Sequence, residues 1–235
     1  MKELIFIHFV ILWFYFSSRR GEVRTCRMYI DAYDLEKILS KEELKNFIVR
    51  KYKKGEIRYP SDDIKLLIMK KGKGKVSFLN EGKEFILYYL NDGNIYVMHP
   101  DTVIEFLEES EMLELKAKDF PSVFNNKFFC NLVLNAFTKI MMVEKEIIKN
   151  LVFNDCKKRI ACFILDVAEC NGIKKDNGIE VDLNVKIKDI ANIVGLQRQT
   201  ASKVINEFIT ENILEKKKPN VYFIKDFDKL KNYTE

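Results

Sequence analysis

Residues that supply metal and catalytic sites are scarce in this sequence. Its 235 residues include only two histidines, His8 and His99, and its five cysteines form no CxxC pair. The sequence contains no metal-binding cluster, no disulfide framework, no nucleophile–histidine–acid set and no glycine-rich phosphate loop. These absences argue against an enzyme, and an odd number of cysteines indicates reduced thiols in a cytoplasmic protein.

Long apolar runs are also lacking. The run at the N-terminus lies within residues 1–20, is interrupted by His8, and falls short of the roughly 20 apolar residues needed to cross a bilayer. This N-terminal segment matches a signal peptide poorly, because Lys2 alone makes a weak basic region and no clear cleavage site follows. We therefore expect no stable membrane insertion. Our interpretation is that the native chain begins at Met28 and not at Met1, with residues 1–27 as an extension.

What the sequence does contain is typical of a globular protein. Hydrophobic residues make up 47% and charged residues 32%, which suits one large or two modest domains with buried cores. The formal net charge of +5 is mild. It permits a nucleic acid as partner without requiring one, so the local placement of charge has to decide.

Residues 28–121 have the pattern of a small antiparallel β domain. Between residues 50 and 118, short segments rich in Ile, Val, Phe and Tyr alternate with turn signals. These signals are Lys54-Gly55, Gly72 with Gly74, Glu81-Gly82 and Asp92-Gly93. Strands of this length joined by Asp-Gly or Glu-Gly turns predict hairpins that close into a barrel or roll.

Residues 122–152 are predicted to form a long helix. No glycine or proline occurs from Ser122 to Glu169, and apolar residues recur in alternating steps of three and four. This narrow stripe consists of Phe129, Val133, Ala136, Ile140, Val143 and Ile147. Such a stripe is typical of a coiled coil, so we predict a parallel helix pair across the two-fold axis of a homodimer. The alternative is a single long core helix.

Residues 153–235 contain a helix-turn-helix pattern. A helix is predicted over residues 154–169 and a strand over 178–183. Two further helical patterns then meet at Gly195, a residue that tolerates positive φ in a turn. Their apolar inner faces would be formed by Ile187, Ile190, Ala191 and Val194 in the first helix and by Ala201, Val204, Ile205 and Phe208 in the second.

The second of these helices begins with a polar cluster suited to the major groove of DNA. The cluster consists of Gln197, Arg198, Gln199, Thr200, Ser202 and Lys203. Arg can pair with guanine and Gln with adenine, whereas Lys and Thr hold phosphates. Three lysines, Lys217 in their middle, and a Pro-Asn turn then fit a β-wing over residues 215–224. The alternative is a buried helix hairpin whose polar face is solvated.

A β-roll, a long dimer helix and a C-terminal winged helix together resemble the Crp/Fnr family of bacterial transcription regulators, over residues 30–232. Residues 195–208 are similar to the family's recognition segment, in which Arg198, Gln199 and Lys203 fall at contact positions, although the family usually has Glu where Gln199 stands. The resemblance implies an α+β fold with a cupin-like, cyclic-nucleotide-binding-like sensor roll. It also implies a homodimer on a pseudo-palindromic site in double-stranded DNA, with RNA polymerase as a partner.

Two effectors of this family are not expected here. Its cyclic-nucleotide sensors hold phosphate with a Gly-Glu-Leu turn and an Arg-Ser or Arg-Thr pair, but no Lys or Arg occurs between Gly93 and Leu115. Its iron–sulfur sensors use closely spaced N-terminal cysteines, and Cys26 stands alone. We therefore expect neither a cyclic nucleotide nor an iron–sulfur cluster.

The sensor region is most similar to the CooA branch of this family, which senses carbon monoxide with haem. Residues 87–99 and 149–168 carry the likeness, which implies that His99 is an axial ligand to haem iron. It further implies that the long helix walls the distal side of the haem with Val133, Leu134, Phe137 and Met141. Val97 departs from the pattern, since CooA proteins carry a cysteine there. The alternative is a structural His99 in a regulator that responds to another small molecule or to a redox signal.

Overall fold

The computed structural model describes Met28 and residues 32–61, 63–98 and 100–235. The predicted extension at residues 1–27 and the candidate ligand His99 therefore lie outside the described residues. Within the described ranges, a β-rich domain comes first, a long helix follows, and a smaller mixed domain ends the chain.

The N-terminal domain is a roll of eight short strands. A short helix, α1 (Lys41–Leu44), precedes them. The strands are β1 (Ile48–Tyr52), β2 (Ile57–Arg58), β3 (Lys65–Lys71), β4 (Gly74–Asn80), β5 (Lys83–Leu90), β6 (Ile95–Val97), β7 (Thr102–Phe106) and β8 (Ser110–Lys116). They form two four-stranded antiparallel sheets, in the orders β1-β8-β3-β6 and β2-β7-β4-β5.

The hairpin between β4 and β5 shows how local sequence shapes the roll. Asn80 pairs with Lys83, which leaves Glu81 and Gly82 as a two-residue turn. Both have positive φ, 49° and 75°, as a type I′ turn requires, and this turn matches the right-handed twist of the flanking strands. The predicted antiparallel roll and the α+β fold class are confirmed.

The long helix is capped by its own sequence. A short helix, α2 (Phe120–Phe124), is followed by α3 (Lys127–Phe153), which is 27 residues long. The side chain of Asn126 accepts hydrogen bonds from the backbone N–H groups of Phe128 and Phe129, and so satisfies two donors that have no partner within the helix. The long helix therefore begins at Lys127 and not at residue 122.

The apolar stripe predicted on α3 faces the chain's own roll. All six of its residues are buried within the monomer. Phe129, Val133 and Ala136 pack in one apolar cluster with residues of β3, β6 and β8, and Ile140, Val143 and Ile147 pack in a second cluster with residues of β3, β4, β5 and β7. The prediction that this stripe contacts a second copy is wrong, because two adjoining cores of the roll cover its whole length.

A different apolar stripe of α3 is exposed. Leu134, Met141 and Ile148 expose 57%, 55% and 60% of their surface, and they are spaced seven residues apart. A spacing of seven keeps side chains on one face of a helix that pairs with another helix. The exposed stripe therefore has the spacing of a face that can pair with another helix.

The C-terminal domain has its own core. Its elements are α4 (Cys156–Asn171), β9 (Ile173–Lys175), β10 (Gly178–Asp182), α5 (Ile187–Val194), α6 (Arg198–Thr210), β11 (Leu214–Lys218), β12 (Val221–Ile224) and α7 (Phe227–Asn232). The strands form one antiparallel sheet in the order β11-β12-β10-β9. Among the described residues, no helix is both long and apolar enough to cross a membrane.

Candidate nucleic-acid interface and effector cavity

Helices α5 and α6 form a helix-turn-helix around Gly195. This glycine has φ +67° and ψ +42°, the left-handed conformation that L side chains adopt only with strain. The N–H groups of Gly195 and Leu196 both donate to the carbonyl of Ala191, which ends α5. The buried faces of the two helices are formed by Ile190, Ala191, Ile193 and Val194 and by Ala201, Val204, Ile205 and Phe208.

The polar cluster predicted to contact DNA lies on the outer face of α6. Gln197 occupies the N-cap position, and Arg198, Gln199 and Lys203 are exposed. Thr200 and Ser202 are half-buried. Neither Arg198 nor Lys203 forms a salt bridge within 4 Å of another described residue, although the charge of Lys203 helps to lower the pKa of Glu207.

An open groove follows this face of α6. It is lined by Arg198, Gln199, Ser202, Lys203, Asn206, Glu207, Thr210 and Glu211. Asn206 was missed by the sequence analysis, although it lies one helical turn beyond Ser202 and Lys203. An amide side chain is a ligand for adenine or for phosphate, and this helical spacing could have identified it.

The C-terminal end of α6 is acidic, but its carboxylates are held by the protein. Lys157 Nζ lies 2.8 Å from Oε2 of Glu207 and 3.8 Å from Oε1 of Glu211. Tyr233 Oη donates to Oε2 of Glu211 at 2.7 Å. The hydrogen bond from Lys157 lowers the pKa of Glu207. Because negative charge is concentrated there, the N-terminal two turns of α6 are the part that suits a phosphate-bearing ligand.

The hairpin of β11 and β12 forms the predicted wing. Asn220 has φ +64° in the turn that follows Pro219, and asparagine tolerates this conformation better than most residues. Lys216, Lys217 and Lys218 are exposed. Lys217 Nζ, however, lies 2.5 Å from Oε1 of Glu215, so part of its charge is neutralised within the wing.

A large apolar cavity lies beside the contact between the roll and α3. Its volume is about 840 Å³, within the range of small-molecule and cofactor sites. Residues of the two sheets, of α2 and of α3 line it. These include Leu87, Tyr88, Tyr96, Val97, Thr102, Phe124, Phe137, Ile140, Met141, Glu144, Ile147 and Leu151. No Lys or Arg lies among the described residues of its wall, so the cavity does not suit an anion.

The residues predicted to wall a haem fall into three environments. Phe137 and Met141 line the cavity, and Met141 also belongs to the exposed stripe of α3. Val133 is buried in the closed core around Phe129, and Leu134 lies on the exposed stripe of α3. His99 is not among the described residues, but Val97 and Thr102, which flank it in sequence, both line the cavity.

A few polar residues belong to the wall of this apolar cavity. The hydroxyl groups of Tyr96 and Thr102 are 2.8 Å apart and hydrogen-bonded. Burial raises the pKa of Tyr88 well above its ordinary value, and the neighbouring Tyr96 and the charge of Glu144 act in the same direction. The Tyr88 phenol is therefore neutral at physiological pH. These groups could orient a largely apolar ligand through hydrogen bonds.

Comparison with known proteins agrees with the helix-turn-helix. Residues 158–233 match the family described as a Crp-like helix-turn-helix domain. The HTH-type transcriptional regulator ycf28 of Porphyra purpurea is 26% identical over 129 residues. That alignment covers 50% of this chain and spans only 50% of that curated relative.

Solved structures share the whole architecture. A double mutant of CooA from Carboxydothermus hydrogenoformans superposes with a TM-score of 0.83 at 27% identity, over 89% of this chain and 100% of that chain. CprK in complex with OCPA superposes with a TM-score of 0.75 over 90% of this chain and 99% of that chain. The latter is 18% identical, so it shows a common fold alone.

Proposed function

We propose that this chain is an effector-controlled, homodimeric regulator of the Crp/Fnr type that binds double-stranded DNA, a proposal supported by its Crp-like helix-turn-helix domain and by its likeness to a CooA structure. The observation that carries the proposal is the exposed, cationic face of α6 on a helix whose other face is buried. The proposal includes a cytoplasmic location and an action through RNA polymerase. It does not include turnover of a substrate.

In the proposed complex the N-terminal turns of α6 enter the major groove. Arg198 pairs with guanine through two parallel hydrogen bonds, and Gln199 pairs with adenine in the same manner. Thr200, Ser202 and Lys203 hold the flanking phosphates, together with Gln197 at the helix start. Lys217 and its neighbours on the wing contact the DNA backbone, where they contribute affinity but little sequence preference.

The exposed stripe of α3 provides the dimer contact. Two copies of Leu134, Met141 and Ile148 would pair across a two-fold axis as a parallel coiled coil. Met141 and Ile148 also line the apolar cavity, so the dimer contact would border the cavity. A two-fold axis then presents two recognition helices to half-sites about 34 Å apart, which implies a pseudo-palindromic site. The exposed stripe of Leu134, Met141 and Ile148 replaces the buried stripe as the proposed dimer interface within residues 122–152.

The apolar cavity is the proposed effector site. Its position beside the contact between the roll and α3 lets a ligand act on the dimer helix directly. Because its described wall contains no cation, a cyclic nucleotide is disfavoured on chemical grounds. An iron–sulfur cluster remains outside the proposal, since the chain offers one cysteine near the N-terminus.

Haem is the first candidate for the group in this cavity, with carbon monoxide as the signal. The volume and the apolar wall fit a large flat group, with Phe137 and Met141 beside it. His99 would supply the axial ligand, and bound haem would supply an iron that binds a diatomic gas. A second candidate is a different small apolar molecule with a structural His99, which the Tyr96 and Thr102 hydroxyls would orient.

The DNA proposal is tested by selecting bound duplexes from a random library at several salt concentrations. We expect a pseudo-palindromic sequence to be enriched, and its affinity to fall as salt rises. Arg198→Ala should lose the base preference at one position of each half-site. Arg50→Ala should keep it, because it removes the same charge from an exposed position on β1. Failure of the wild-type protein to enrich any sequence, with or without haem and carbon monoxide, would refute the proposal.

The haem proposal is tested by absorption spectroscopy of protein produced with a haem supply. We expect a Soret band that shifts when carbon monoxide is added and that changes in the His99→Ala variant. A colourless protein, or a spectrum that His99→Ala leaves unchanged, would favour the second candidate.

A further inference from the structure

The helix-turn-helix is packed against the sensor roll. Helix α5 lies on strand β5, where Nδ2 of Asn192 donates a 2.9 Å hydrogen bond to Oε2 of Glu84. Beside this bond, Ile86 and Tyr89 of β5 are buried in the same apolar cluster as the core of the C-terminal domain. The contact therefore combines apolar burial with one directional polar interaction.

Glu84 is held in place from within the roll. Its Oε1 accepts a hydrogen bond from Oγ of Ser77 at 3.1 Å and lies 2.7 Å from Nζ of Lys75. Lys75 is also 2.6 Å from Oε2 of Glu105, and only 9% of its side chain is exposed. Because one carboxylate oxygen is fixed by two partners, the other is a preoriented acceptor for Asn192.

The turn of the helix-turn-helix contacts the wall of the effector cavity. A methyl group added to Gly195 would lie 2.7 Å from Cδ2 of Leu151 and 3.3 Å from Cε2 of Phe85. Leu151 and Phe85 both line the cavity. The guanidinium of Arg159 joins the same region, since it donates to the carbonyls of Leu151 at 2.9 Å and Val194 at 3.4 Å. The side chains of Phe85 and Leu151 thus lie between the cavity, where an effector would bind, and the turn at Gly195.

From these contacts we propose that the contact of α5 with β5, which includes the Asn192–Glu84 hydrogen bond, holds the recognition helix in one orientation. We call this contact the orientation lock. We further propose that an effector in the cavity acts on it through Phe85 and Leu151. In the locked arrangement the DNA face of α6 stays exposed, so the lock sets the direction of α6 without covering it. Its consequence for DNA rests on the proposed function. When both recognition helices of a dimer are held in one orientation, the dimer binds two half-sites without losing the entropy of fixing its domains at that step.

The lock itself is tested by hydrogen exchange of the full-length protein without DNA. In Asn192→Ala, we expect amide exchange about tenfold faster in α5 and in residues 84–86, because a hydrogen bond to a charged group is lost. Asn232→Ala removes an exposed asparagine from α7 and serves as the matched control. Unchanged exchange in both segments of Asn192→Ala would overturn the lock.

The link to the cavity is tested by two deletions in its wall. Leu151→Ala should speed exchange in α5, because Leu151 contacts the turn. Ile140→Ala removes a similar side chain from the same cavity about three helical turns away. It should leave α5 unchanged, and exchange in β1 serves as the internal standard for global stability. Equal responses of α5 to both substitutions would overturn the link.

The effect on DNA is tested with duplexes that carry one or two half-sites. For Asn192→Ala we expect affinity about tenfold weaker for the double site and nearly unchanged for the single site. Equal effects on both duplexes, or tighter binding to the double site, would overturn the orientation role. If the wild-type protein binds neither duplex, the proposed function fails, whereas the exchange results still decide whether the lock exists.

Discussion

The long helix α3 and the recognition helix α6 are alike on their buried sides and different on their exposed sides. Each buries a stripe of apolar residues at helical spacing against its own domain. The exposed face of α3, however, carries Leu134, Met141 and Ile148, whereas that of α6 carries Arg198, Gln199 and Lys203. The buried faces hold the fold together, and the exposed faces indicate which partner each helix can accept.

The two exposed faces differ in chemistry, so the partner that suits α3 does not suit α6. Apolar side chains in water are stabilised by burial against another apolar surface, as a second copy of α3 would provide. Cations and amides on a rigid helix instead suit phosphates and base edges. Substitutions on buried faces should therefore affect folding, and substitutions on exposed faces should affect the binding of a partner.

The largest effect is expected at Phe129, on the buried face of α3. Phe129→Ala should lower the free energy of unfolding by about 3–5 kcal/mol, because it leaves a cavity in the core. Its neighbour Phe128 is 76% exposed. Phe128→Ala should change the same quantity by less than about 0.5 kcal/mol. Urea unfolding of both variants measures the difference, and similar losses would mean that the two faces are not distinct.

On the exposed face of α3 we expect an effect on association. Ile148→Ala should weaken dimerisation by about 2 kcal/mol, roughly thirtyfold in Kd, because the apolar area buried between the subunits decreases. Analytical ultracentrifugation measures this change. Lys149→Ala alters an adjacent side chain that is 65% exposed and should leave the association unchanged. A dimer that tolerates Ile148→Ala fully would place the interface elsewhere.

Arg198→Ala on α6 should reduce discrimination at one base pair. We expect a loss of about 1–3 kcal/mol between the preferred base and its alternatives, since a bidentate pair with guanine is removed. Competition binding with duplexes that differ at single positions measures it. Equal weakening of binding for all duplexes would instead indicate that Arg198 contacts a phosphate.

Lys203→Ala and Lys217→Ala should have the two smallest effects of this series. Binding should weaken alike for all sequences, and the slope of log affinity against log salt should fall by about one. Lys217→Ala should act in the same direction but less strongly, because Lys217 is already paired with Glu215. A salt titration of both variants tests this order, and a sequence-selective loss for Lys203→Ala would contradict it.

Most of the helix-turn-helix could be predicted because its signals are local, although Ile187 of the predicted inner face is only half-buried and Ile193, which was not predicted, is buried. A positive φ at Gly195, the small Ala191 and the alternation of apolar and polar residues each act within a few positions. The β4–β5 turn could be predicted for the same reason, since Glu81-Gly82 sets the hairpin by its own backbone preference. The predicted fold class followed from these signals and is confirmed.

The partner of the α3 stripe could not be predicted in this manner. A helical period shows that a face is covered, but a core of the same chain and a second copy cover it equally well. The spacing of Phe129, Val133 and Ala136 therefore led to the wrong partner. The cavity could not be predicted either, because its lining residues are spread between Ile64 and Leu151 in the sequence and come together only in the folded protein.

By itself the sequence determined the types of element, the turn at Gly195, the outward polar face of α6 and the scarcity of catalytic groups. These depend on backbone preferences and on periodicity over a few residues. Only the tertiary structure decided which stripe of α3 is buried, where an apolar ligand fits, and that Asn192 meets Glu84 across 108 residues of chain. Contacts of that separation arise from packing two domains together, and no local preference specifies them.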